Sequence, residues 1–341
     1  MSEIILSGIR ATGRLHFGNL LGAVQHFVRF QEAPDTTGLY FVADLHTLTT
    51  LKDPDDMRRN LKEIVKDYIA AGLDPNKSIL YAQSSVPEIS VLSLLLSMVQ
   101  PYGDLIRIPT FKELARKNPD NLNFGIVTYP VLMAADILGP QATLVPVGED
   151  QVPNVELAAA LARRFNARFG GTFTIPRMME EMVKVPGLDG AKMGKSDGNS
   201  IAIDDSIEAI GEAYRKRGVT DPKKVRAGDP GNPYRVVDVA KGVDEGCRSV
   251  YAVHELVTPG ETSTREIANT CIAGTLGCAE CKRMLVDRIA AILEPFQERR
   301  AKLAGQDDFI TDILHEGGRK ARALIRPTVE AVQGKMGLVI Y

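Results

Sequence analysis

The sequence has no tryptophan, no long apolar run and almost no net charge. Its most apolar stretch, Ile89 to Val99, is shorter than the roughly twenty residues that a membrane-spanning helix needs, and serines interrupt it. The N-terminus lacks the basic segment and the cleavage site of a secretion signal. A formal net charge of −2 provides no global positive field for nucleic acid. We therefore expect a cytoplasmic protein without a membrane partner, in which any nucleic-acid contact is local.

One local cluster of positive charge is a candidate for such a contact. The cluster consists of Arg215, Lys216, Arg217, Lys223, Lys224 and Arg226. Asp221 is the only acidic residue within this segment. A solvated helix end followed by a loop is the alternative, and charge alone does not separate the two.

Cysteine is absent before residue 247 and then occurs four times, as Cys247, Cys271, Cys278 and Cys281. In a cytosolic chain, clustered thiols favour a metal over a disulfide. Four thiolates suit either structural zinc or an iron–sulfur cluster. Zinc usually takes two close pairs of ligands and this segment has one, preceded by Gly277. Free buried thiols are the remaining alternative.

The first part of the chain alternates short apolar strands with helices, which predicts an α/β fold with a doubly wound parallel sheet. Ligands of such sheets bind at the carboxyl ends of the strands. Strands are predicted at Ile4–Leu6, Leu39–Val42, Ser78–Gln83 and Thr143–Val147, and helices at Leu20–Phe30 and Arg58–Ala71.

After residue 204 the pattern becomes mostly helical, which predicts a smaller all-helical domain. We expect domains at residues 1–204, 205–294 and 295–341, with the last packing back on the first. The helices are predicted at Ile207–Arg217, Glu266–Ile272, Cys281–Arg300 and Asp308–Val332.

Two loops carry residues suited to nucleotide chemistry. The loop from Gly13 to Asn19 follows the first strand and opens a helix, so its backbone can approach a nucleotide and the helix N-terminus can face phosphate. The loop from Ala191 to Asn199 carries Lys192 and Lys195 among glycines, as a mobile pair of positive charges. Taken singly, each has an ordinary explanation, as a strand-to-helix connection or as an exposed basic turn.

Together the two loops resemble the HIGH and KMSKS signatures of class I aminoacyl-tRNA synthetases. His16-Phe17-Gly18-Asn19 ends in Asn, as in tryptophanyl enzymes, and Lys192-Met193-Gly194-Lys195-Ser196 has Gly in place of the first Ser. The resemblance implies a Rossmann-like catalytic domain that binds ATP with Mg²⁺ and acts by positioning and electrostatic stabilisation. It implies Lys192, Lys195 and Lys112 as catalytic residues, and Arg10, Thr12, Gly18, Asn19, Gly148, Asp150, Lys192, Met193, Lys195 and Ser196 as ATP-binding residues.

Two further segments indicate the amino acid. Residues 128–138 and 144–151 resemble the pocket helix and the strand and turn of tryptophanyl-tRNA synthetases. The resemblance implies that Asp136 accepts the indole N–H, while Tyr129 and Gln151 hold the amino and carboxylate groups. Such a site rejects an analogue without the N–H donor by about 10⁴ to 10⁵. The implied tryptophan-binding residues are Leu6, Gly8, His46, Tyr129, Met133, Asp136, Val147 and Gln151.

The nearest alternative is a tyrosyl-tRNA synthetase, because an aspartate can equally accept a phenol hydroxyl. An inactive or redox-sensing synthetase-like paralogue is a second alternative. Lys192, Lys195 and Asp136 are all retained, which argues against the paralogue, since an unused site need not keep them together.

The resemblance also implies the partners, which are L-tryptophan, ATP and tRNA(Trp). Some tryptophanyl-tRNA synthetases of thermophilic bacteria carry a 4Fe–4S cluster with nearly this cysteine spacing. We therefore expect Cys247, Cys271, Cys278 and Cys281 to hold such a cluster in an anticodon-binding domain, with zinc or no metal as alternatives. The apolar stretch Val91 to Val99 exceeds what one helix face needs, which favours a homodimer over a helix buried within the monomer.

Overall fold

The computed structural model describes residues 3–117, 122–179, 183–195, 197–220, 247, 249–273 and 275–339. The strands are β1 (Glu3–Ile9), β2 (Thr36–Val42), β3 (Ile79–Ala82), β4 (Leu144–Val145) and β5 (Arg177–Met178). The helices are α1 (Phe17–Asn19), α2 (Gln25–Gln31), α3 (Asp44–Thr47), α4 (Pro54–Ala71), α5 (Pro87–Ser97), α6 (Tyr102–Leu105), α7 (Pro109–Lys117), α8 (Phe124–Leu138), α9 (Val152–Phe169), α10 (Ile207–Arg217), α11 (Val250–Val257), α12 (Glu261–Ile272), α13 (Cys278–Ala301) and α14 (Asp307–Lys335).

The five strands form one parallel sheet in the order β3-β2-β1-β4-β5. The strand order reverses between β1 and β4, which creates the crevice where sheets of this kind bind ligands. The predicted α/β class with a parallel, doubly wound sheet is therefore confirmed, and a group of helices accompanies it. Within the described residues, no helix is long and apolar enough to span a membrane.

The chain divides into two compact units. Unit 1 consists of residues 1–14, 26–182 and 303–341 and contains the whole sheet. Unit 2 consists of residues 15–25 and 183–302. Both signature motifs belong to unit 2, whereas the residues expected to bind tryptophan belong to unit 1.

Capping residues mark both ends of helix α4. The Asp53 side chain accepts hydrogen bonds from the backbone N–H groups of Asp55 and Asp56, and Pro54 occupies the first turn. Gly72 ends the helix in the left-handed conformation, at φ 114°. The helix therefore starts four residues before the predicted Arg58.

The last helix, α14, packs against β3 in unit 1. A Cβ atom on Gly317 would lie 1.8 Å from the Leu80 carbonyl oxygen, so only glycine permits this approach. Ion pairs fix the same helix at its start, where Asp307 lies 2.7 Å from Lys66 Nζ. Further along, Arg322 lies 2.8 Å from Glu88.

Candidate active site

A buried carboxylate lies on helix α8 in unit 1. Asp136 is 1% exposed, and Gln83 Nε2 donates to its two oxygens at 2.9 and 2.8 Å. His46 Nε2 lies 3.1 Å from the same carboxylate, at Oδ2. Burial raises the pKa of Asp136; the hydrogen bonds from His46 and Gln83 lower it in part, and nearby Asp44 raises it further. Asp136 is thus an internal polar centre and not a helix-surface carboxylate.

The same face of α8 presents two more of the expected pocket residues. Tyr129, Met133 and Asp136 follow the four- and three-residue spacing that aligns side chains on one helix face. The ring of Tyr129 meets the ring of His46 edge to face, with centroids 6.2 Å apart. The structure therefore brings His46, Tyr129 and Asp136 together, as expected for a shared pocket.

The ends of β1 and β4 supply the remaining tryptophan-site candidates. Leu6 is buried in the core of unit 1, and Val147 and Met133 pack against that core. Gly8 lies beside the Phe41 ring, where a Cβ atom would come within 2.6 Å of the ring. Glycine is therefore needed at this strand end, because the Phe41 ring already occupies the space that a side chain would enter.

A short turn follows β4 and holds three further candidates: Gly148, Asp150 and Gln151. Gly148 begins a 3₁₀ turn over Glu149–Gln151. The Gln151 amide donates to Asp150 Oδ2 at 2.9 Å and accepts from the side chain of buried Asn154 at 2.9 Å. These two contacts fix which end of the Gln151 amide points in each direction.

The loop after β1 is hydrogen-bonded to α3 and to the residues that follow α3. Arg10 donates to the hydroxyl groups of Thr49 and Thr50 at 3.1 and 2.6 Å. Burial lowers the pKa of Arg10, with a smaller opposing effect of Tyr129. Thr12 is exposed on the same loop, and its backbone N–H donates to the Arg10 carbonyl. Lys112 lies elsewhere in unit 1, exposed on helix α7.

In unit 2, the first motif forms a capped helix start. The His16 Nδ1 atom accepts from the Asn19 backbone N–H, and the Asn19 side chain accepts from the His16 backbone N–H. Since Nδ1 is an acceptor here, the neutral ring carries its proton on Nε2. Burial, followed by the charges of Lys195 and Lys192, lowers the pKa of His16 to about 4. A neutral imidazole with an N–H donor beside two lysines is suited to phosphate oxygens.

The second motif contacts the first one inside unit 2. Met193 is buried, and its sulfur accepts a hydrogen bond from the backbone N–H of Gly18 at 3.2 Å. Lys192 and Lys195, on either side of it, are exposed. The structure therefore collects Gly18, Asn19, Lys192, Met193 and Lys195 in one unit; Ser196 lies outside the described residues.

Asn199 holds the backbone of the loop from Ala191 to Asn199, which carries Lys192 and Lys195 and is called the lysine loop below. Its side-chain oxygen accepts from the Gly194 N–H at 2.9 Å, and its side-chain nitrogen donates to the Lys192 carbonyl at 3.1 Å and to Asp189 at 2.7 Å. Asn199 is 1% exposed. The sequence predicted a mobile glycine-rich loop, whereas these bonds fix its backbone on both sides of Met193.

Two residues that contact expected site residues had no role assigned from the sequence. Gln83 directly follows β3, and only the folded chain brings it to Asp136, since no spacing pattern links the two. Asn199 stands within the second motif, where Asn can equally be an ordinary turn residue. In the sequence, Asn199 is marked only by its position five residues after Gly194. This spacing alone does not predict a hydrogen bond between the two residues.

The four cysteines lie in unit 2 with unequal exposure. Cys247 and Cys281 are buried, and Cys278 is exposed at the first turn of α13. Burial, with smaller effects of the other cysteines, raises the pKa of Cys247 to about 11 and that of Cys281 to about 12. Among the described residues, no group of three or more His, Cys, Asp or Glu side chains is arranged to hold a metal ion.

Acidic neighbours partly neutralise the basic cluster of α10. Lys216 and Arg215 both pair with Glu212, and Arg217 donates to the Gly198 carbonyl. The rest of the cluster, which is Lys223, Lys224 and Arg226, lies outside the described residues.

Comparison with known proteins agrees with this arrangement. A family model described as tRNA synthetases class I (W and Y) matches residues 2–294. The tryptophan–tRNA ligase of Deinococcus radiodurans is 37% identical over 342 residues, covering 98% of each chain. The tryptophan–tRNA ligase of Thermotoga maritima is 38% identical over 339 residues, covering 98% of this chain and 99% of its own.

Solved structures give the same result. Tryptophanyl-tRNA synthetase from Campylobacter jejuni, complexed with ADP and tryptophan, aligns with a TM-score of 0.80 at 30% identity and covers 98% of this chain and 100% of its own. Tryptophanyl-tRNA synthetase from Mycoplasma pneumoniae aligns with a TM-score of 0.84 at 27% identity, covering 99% of each chain. By sequence, fold and motifs, the chain belongs to the tryptophanyl-tRNA synthetase family of class I tRNA synthetases.

Proposed function

We infer that this chain is an ATP-dependent tryptophan–tRNA ligase. A carboxylate oxygen of L-tryptophan attacks the α-phosphorus of ATP, the bond to the leaving pyrophosphate breaks, and tryptophanyl-adenylate forms. A hydroxyl group of tRNA(Trp) then attacks the tryptophanyl carbonyl carbon and releases AMP. The observation that carries this inference is buried Asp136 with its two polar partners, on a helix face that also presents Tyr129.

The amino-acid pocket is proposed to recognise the indole N–H through a hydrogen bond to Asp136. A buried carboxylate is costly unless donors satisfy it, so Asp136 favours a substrate that brings an N–H donor into an apolar surrounding. Tyr129 and Gln151 are proposed to hold the amino and carboxylate groups of tryptophan. The pocket wall is proposed to consist of Leu6, Gly8, His46, Met133 and Val147.

ATP binding is proposed for the residues that the motif resemblance implies. These are Arg10, Thr12, Gly18, Asn19, Gly148, Asp150, Lys192, Met193, Lys195 and Ser196, with Lys112 reaching the phosphates. ATP is used with Mg²⁺, which offsets part of the triphosphate charge. Lys195 and Lys192 are proposed to stabilise the charge that develops as pyrophosphate leaves, which is the main form of catalysis in phosphoryl and nucleotidyl transfer.

Tryptophan-dependent ATP–pyrophosphate exchange tests the inference, with tyrosine as the competing substrate. Asp136→Asn keeps the shape of the side chain but removes its charge. This variant should lose selection of tryptophan while its KM for ATP changes little. Asp56→Asn, at a partly exposed position of α4 away from the expected site, is the matched control. Exchange driven by tyrosine and not by tryptophan would instead assign the chain to the tyrosyl enzymes, and exchange with neither would favour the inactive paralogue.

We propose that residues 205–294 bind the tRNA anticodon in the cytoplasm and that the four cysteines of this segment hold a 4Fe–4S cluster. The other cysteines contribute to the raised pKa of Cys247 and of Cys281, so these thiols lie near one another. A 4Fe–4S cluster takes four cysteine thiolates, which is the number that this segment supplies between Cys247 and Cys281. Structural zinc usually takes two close pairs of ligands, and this segment has one.

Anaerobic purification tests the cluster proposal. We expect broad visible absorption, with iron and sulfide in stoichiometric amounts. Cys278→Ser should remove the absorption and weaken aminoacylation of tRNA, while pyrophosphate exchange stays close to wild type. Stoichiometric zinc without iron would contradict the cluster, and a protein free of metal would assign the residues as buried thiols.

We propose that the protein is a homodimer joined through α5. On one side of this helix, Ile89, Leu92 and Leu96 are fully buried. On the other side, Leu94 and Met98 are 59% and 65% exposed. The alternative was a helix fully buried within the monomer, and the exposure of these two side chains supports the dimer over it. A second copy of the chain would cover two large apolar side chains that water otherwise contacts.

Sedimentation at micromolar concentration tests the dimer. The wild type should have twice the mass of one chain, and Leu94→Glu should shift the measured mass toward that of a single chain. Phe309→Glu, on the exposed face of α14, is the control and should leave the mass unchanged. A wild type with the mass of a single chain would refute the proposal.

A further inference from the structure

Gln83 makes three hydrogen-bond contacts inside the pocket of unit 1. Its Nε2 atom lies 2.9 and 2.8 Å from the two oxygens of Asp136, and its Oε1 atom accepts from the His46 backbone N–H at 3.3 Å. Gln83 is 0% exposed. Because the backbone N–H of His46 can only donate, the Gln83 oxygen must face it and the amide nitrogen must face Asp136.

We propose that Gln83 is a positioning residue that sets tryptophan selection by holding Asp136 as the acceptor of the indole N–H. The proposal rests on the proposed function, since it requires Asp136 to contact the side chain of the amino acid. Gln83 itself would touch no reacting atom and would act only through the orientation and charge of Asp136.

Counting acceptor positions supports this role. An ionised carboxylate offers about four acceptor positions on its two oxygens. Gln83 contacts both oxygens of Asp136, and His46 contacts Oδ2. Three of the four positions are thereby used, and one on Oδ1 is left for a single further donor. An indole has a single N–H donor and no competing acceptor, so it matches that position.

The neighbours of the carboxylate show why Gln83 matters. Burial opposes the charged form of Asp136, and nearby Asp44 opposes it further. The adjacent Tyr81 phenol is fully buried, and burial together with Asp136 raises its pKa, so that it stays protonated. Within the described residues, the hydrogen bonds of Gln83 and His46 favour the ionised form of Asp136. Without Gln83, only the His46 contact on Oδ2 remains, so Oδ1 can turn away or take up a proton, and a protonated oxygen is no longer a pure acceptor.

The position of Gln83 follows from the fold. It is the first residue of a 3₁₀ turn (Gln83–Ser85) that begins directly after β3. Parallel strands end at one edge of the sheet, and ligands bind at that edge. The next residue, Ser84, donates its backbone N–H to Asp44 at 2.9 Å, which fixes the turn against α3. The strand end and the turn thus aim the Gln83 side chain at Asp136.

The test compares tryptophan with an analogue of similar shape that lacks the donor, 3-(benzothiophen-3-yl)alanine. Gln83→Met keeps a similar side-chain volume but removes the amide. In pyrophosphate exchange, kcat/KM for tryptophan should fall by about 10- to 100-fold, as expected when one hydrogen bond to a charged group is lost. The fall should be in KM more than in kcat. For the analogue, kcat/KM should change by less than about 3-fold, because no N–H contact exists to lose.

Two controls separate the possible causes. Ser85→Ala alters the same turn, but its hydroxyl donates to the Ala82 carbonyl and not to Asp136, so it should leave the preference for tryptophan over the analogue unchanged. Asp136→Asn should reduce that preference at least as far as Gln83→Met does. If Gln83→Met does not fold, Gln83→Asn keeps an amide on a shorter side chain and should show a smaller loss, again limited to tryptophan.

An equal fall for both substrates would overturn the proposal and leave Gln83 a merely structural residue. If Asp136→Asn removes the preference but Gln83→Met does not, the proposal also fails while the proposed function stands. A wild type that exchanges with neither substrate would instead refute the proposed function.

Discussion

The backbone N–H of Gly18 donates to the sulfur of Met193 at 3.2 Å, across 175 residues of sequence. The neighbouring backbone reinforces this contact, because Phe17 N–H donates to the Ile201 carbonyl at 2.9 Å and His16 forms an isolated bridge with Ala202. The two signature motifs therefore share one backbone framework within unit 2. A change in either motif should affect the other.

Gly18→Ala should disturb both motifs. The added Cβ atom would lie 3.0 Å from the His16 ring and 3.2 Å from Met193 Cβ, so one of these neighbours must move. We expect a loss of about 1–2 kcal/mol in the free energy of unfolding, together with a raised KM for ATP. Gly103→Ala is the control, since a Cβ atom there meets nothing within 4 Å. Equal thermal midpoints and equal KM values for the two variants would contradict the expectation.

Asn199→Ala should release the lysine loop. The change removes the side chain that bonds the Gly194 N–H and the Lys192 carbonyl, at a cost of about 1 kcal/mol for each of these part-buried hydrogen bonds. The kcat of pyrophosphate exchange should fall at least about tenfold, with the KM for tryptophan unchanged. Asn76→Ala, at an exposed turn, serves as control. A normal kcat in Asn199→Ala would mean that the loop needs no such support.

Lys195→Ala should act mainly on the transition state. Its exposed ammonium is proposed to meet charge that develops only as pyrophosphate leaves. Single-turnover adenylate formation should therefore slow by about 10²- to 10³-fold, while the KM for tryptophan stays nearly constant. A raised KM for ATP with a normal kcat would show instead that Lys195 binds the ground state.

His16 should make the protein less stable in mild acid. Its pKa is lowered from 6.5 to about 4 in the folded protein, so between these values the unfolded chain binds a proton that the folded chain does not. The free energy of unfolding therefore falls as the pH falls through this window, by at most about 1.4 kcal/mol per pH unit for one proton. Urea unfolding at pH 7 and pH 5 should show a smaller decrease for His16→Gln than for the wild type. Identical decreases would contradict the assignment.

Elements with a strong periodic pattern were predictable from the sequence. Helix α10 has the predicted bounds, and the predicted strands at Leu39–Val42 and Ser78–Gln83 overlap β2 and β3. The predicted helix Leu20–Phe30 is instead interrupted, since Leu20–Val24 is π-helical. A π segment of one turn shifts the positions of the apolar residues only slightly. An apolar spacing near 3.6 residues therefore does not distinguish it from an α-helix. The two-residue strand β5 was missed because it is too short to show any period.

The candidate site was predictable where motifs carry it and not where distant residues complete it. Asp136 stood out as a carboxylate within an apolar stretch, and its burial agrees with that reading. Gln83 lies 53 residues earlier, and Asp189 lies ten residues from Asn199. The sequence does not specify these pairings, because they depend on how strand ends and loops meet in three dimensions.

The packing of α14 on β3 has a consequence for how the protein is made. Residues 303–341 belong to unit 1, although residues 183–302 of unit 2 are synthesised before them. A ribosome working from the N-terminus thus synthesises all of unit 2 while β3 still lacks the helix that packs against it. Domains generally fold as they emerge. The nascent chain therefore holds an uncovered sheet face until translation has passed Lys335, and this interval is when chaperones have an apolar surface to bind.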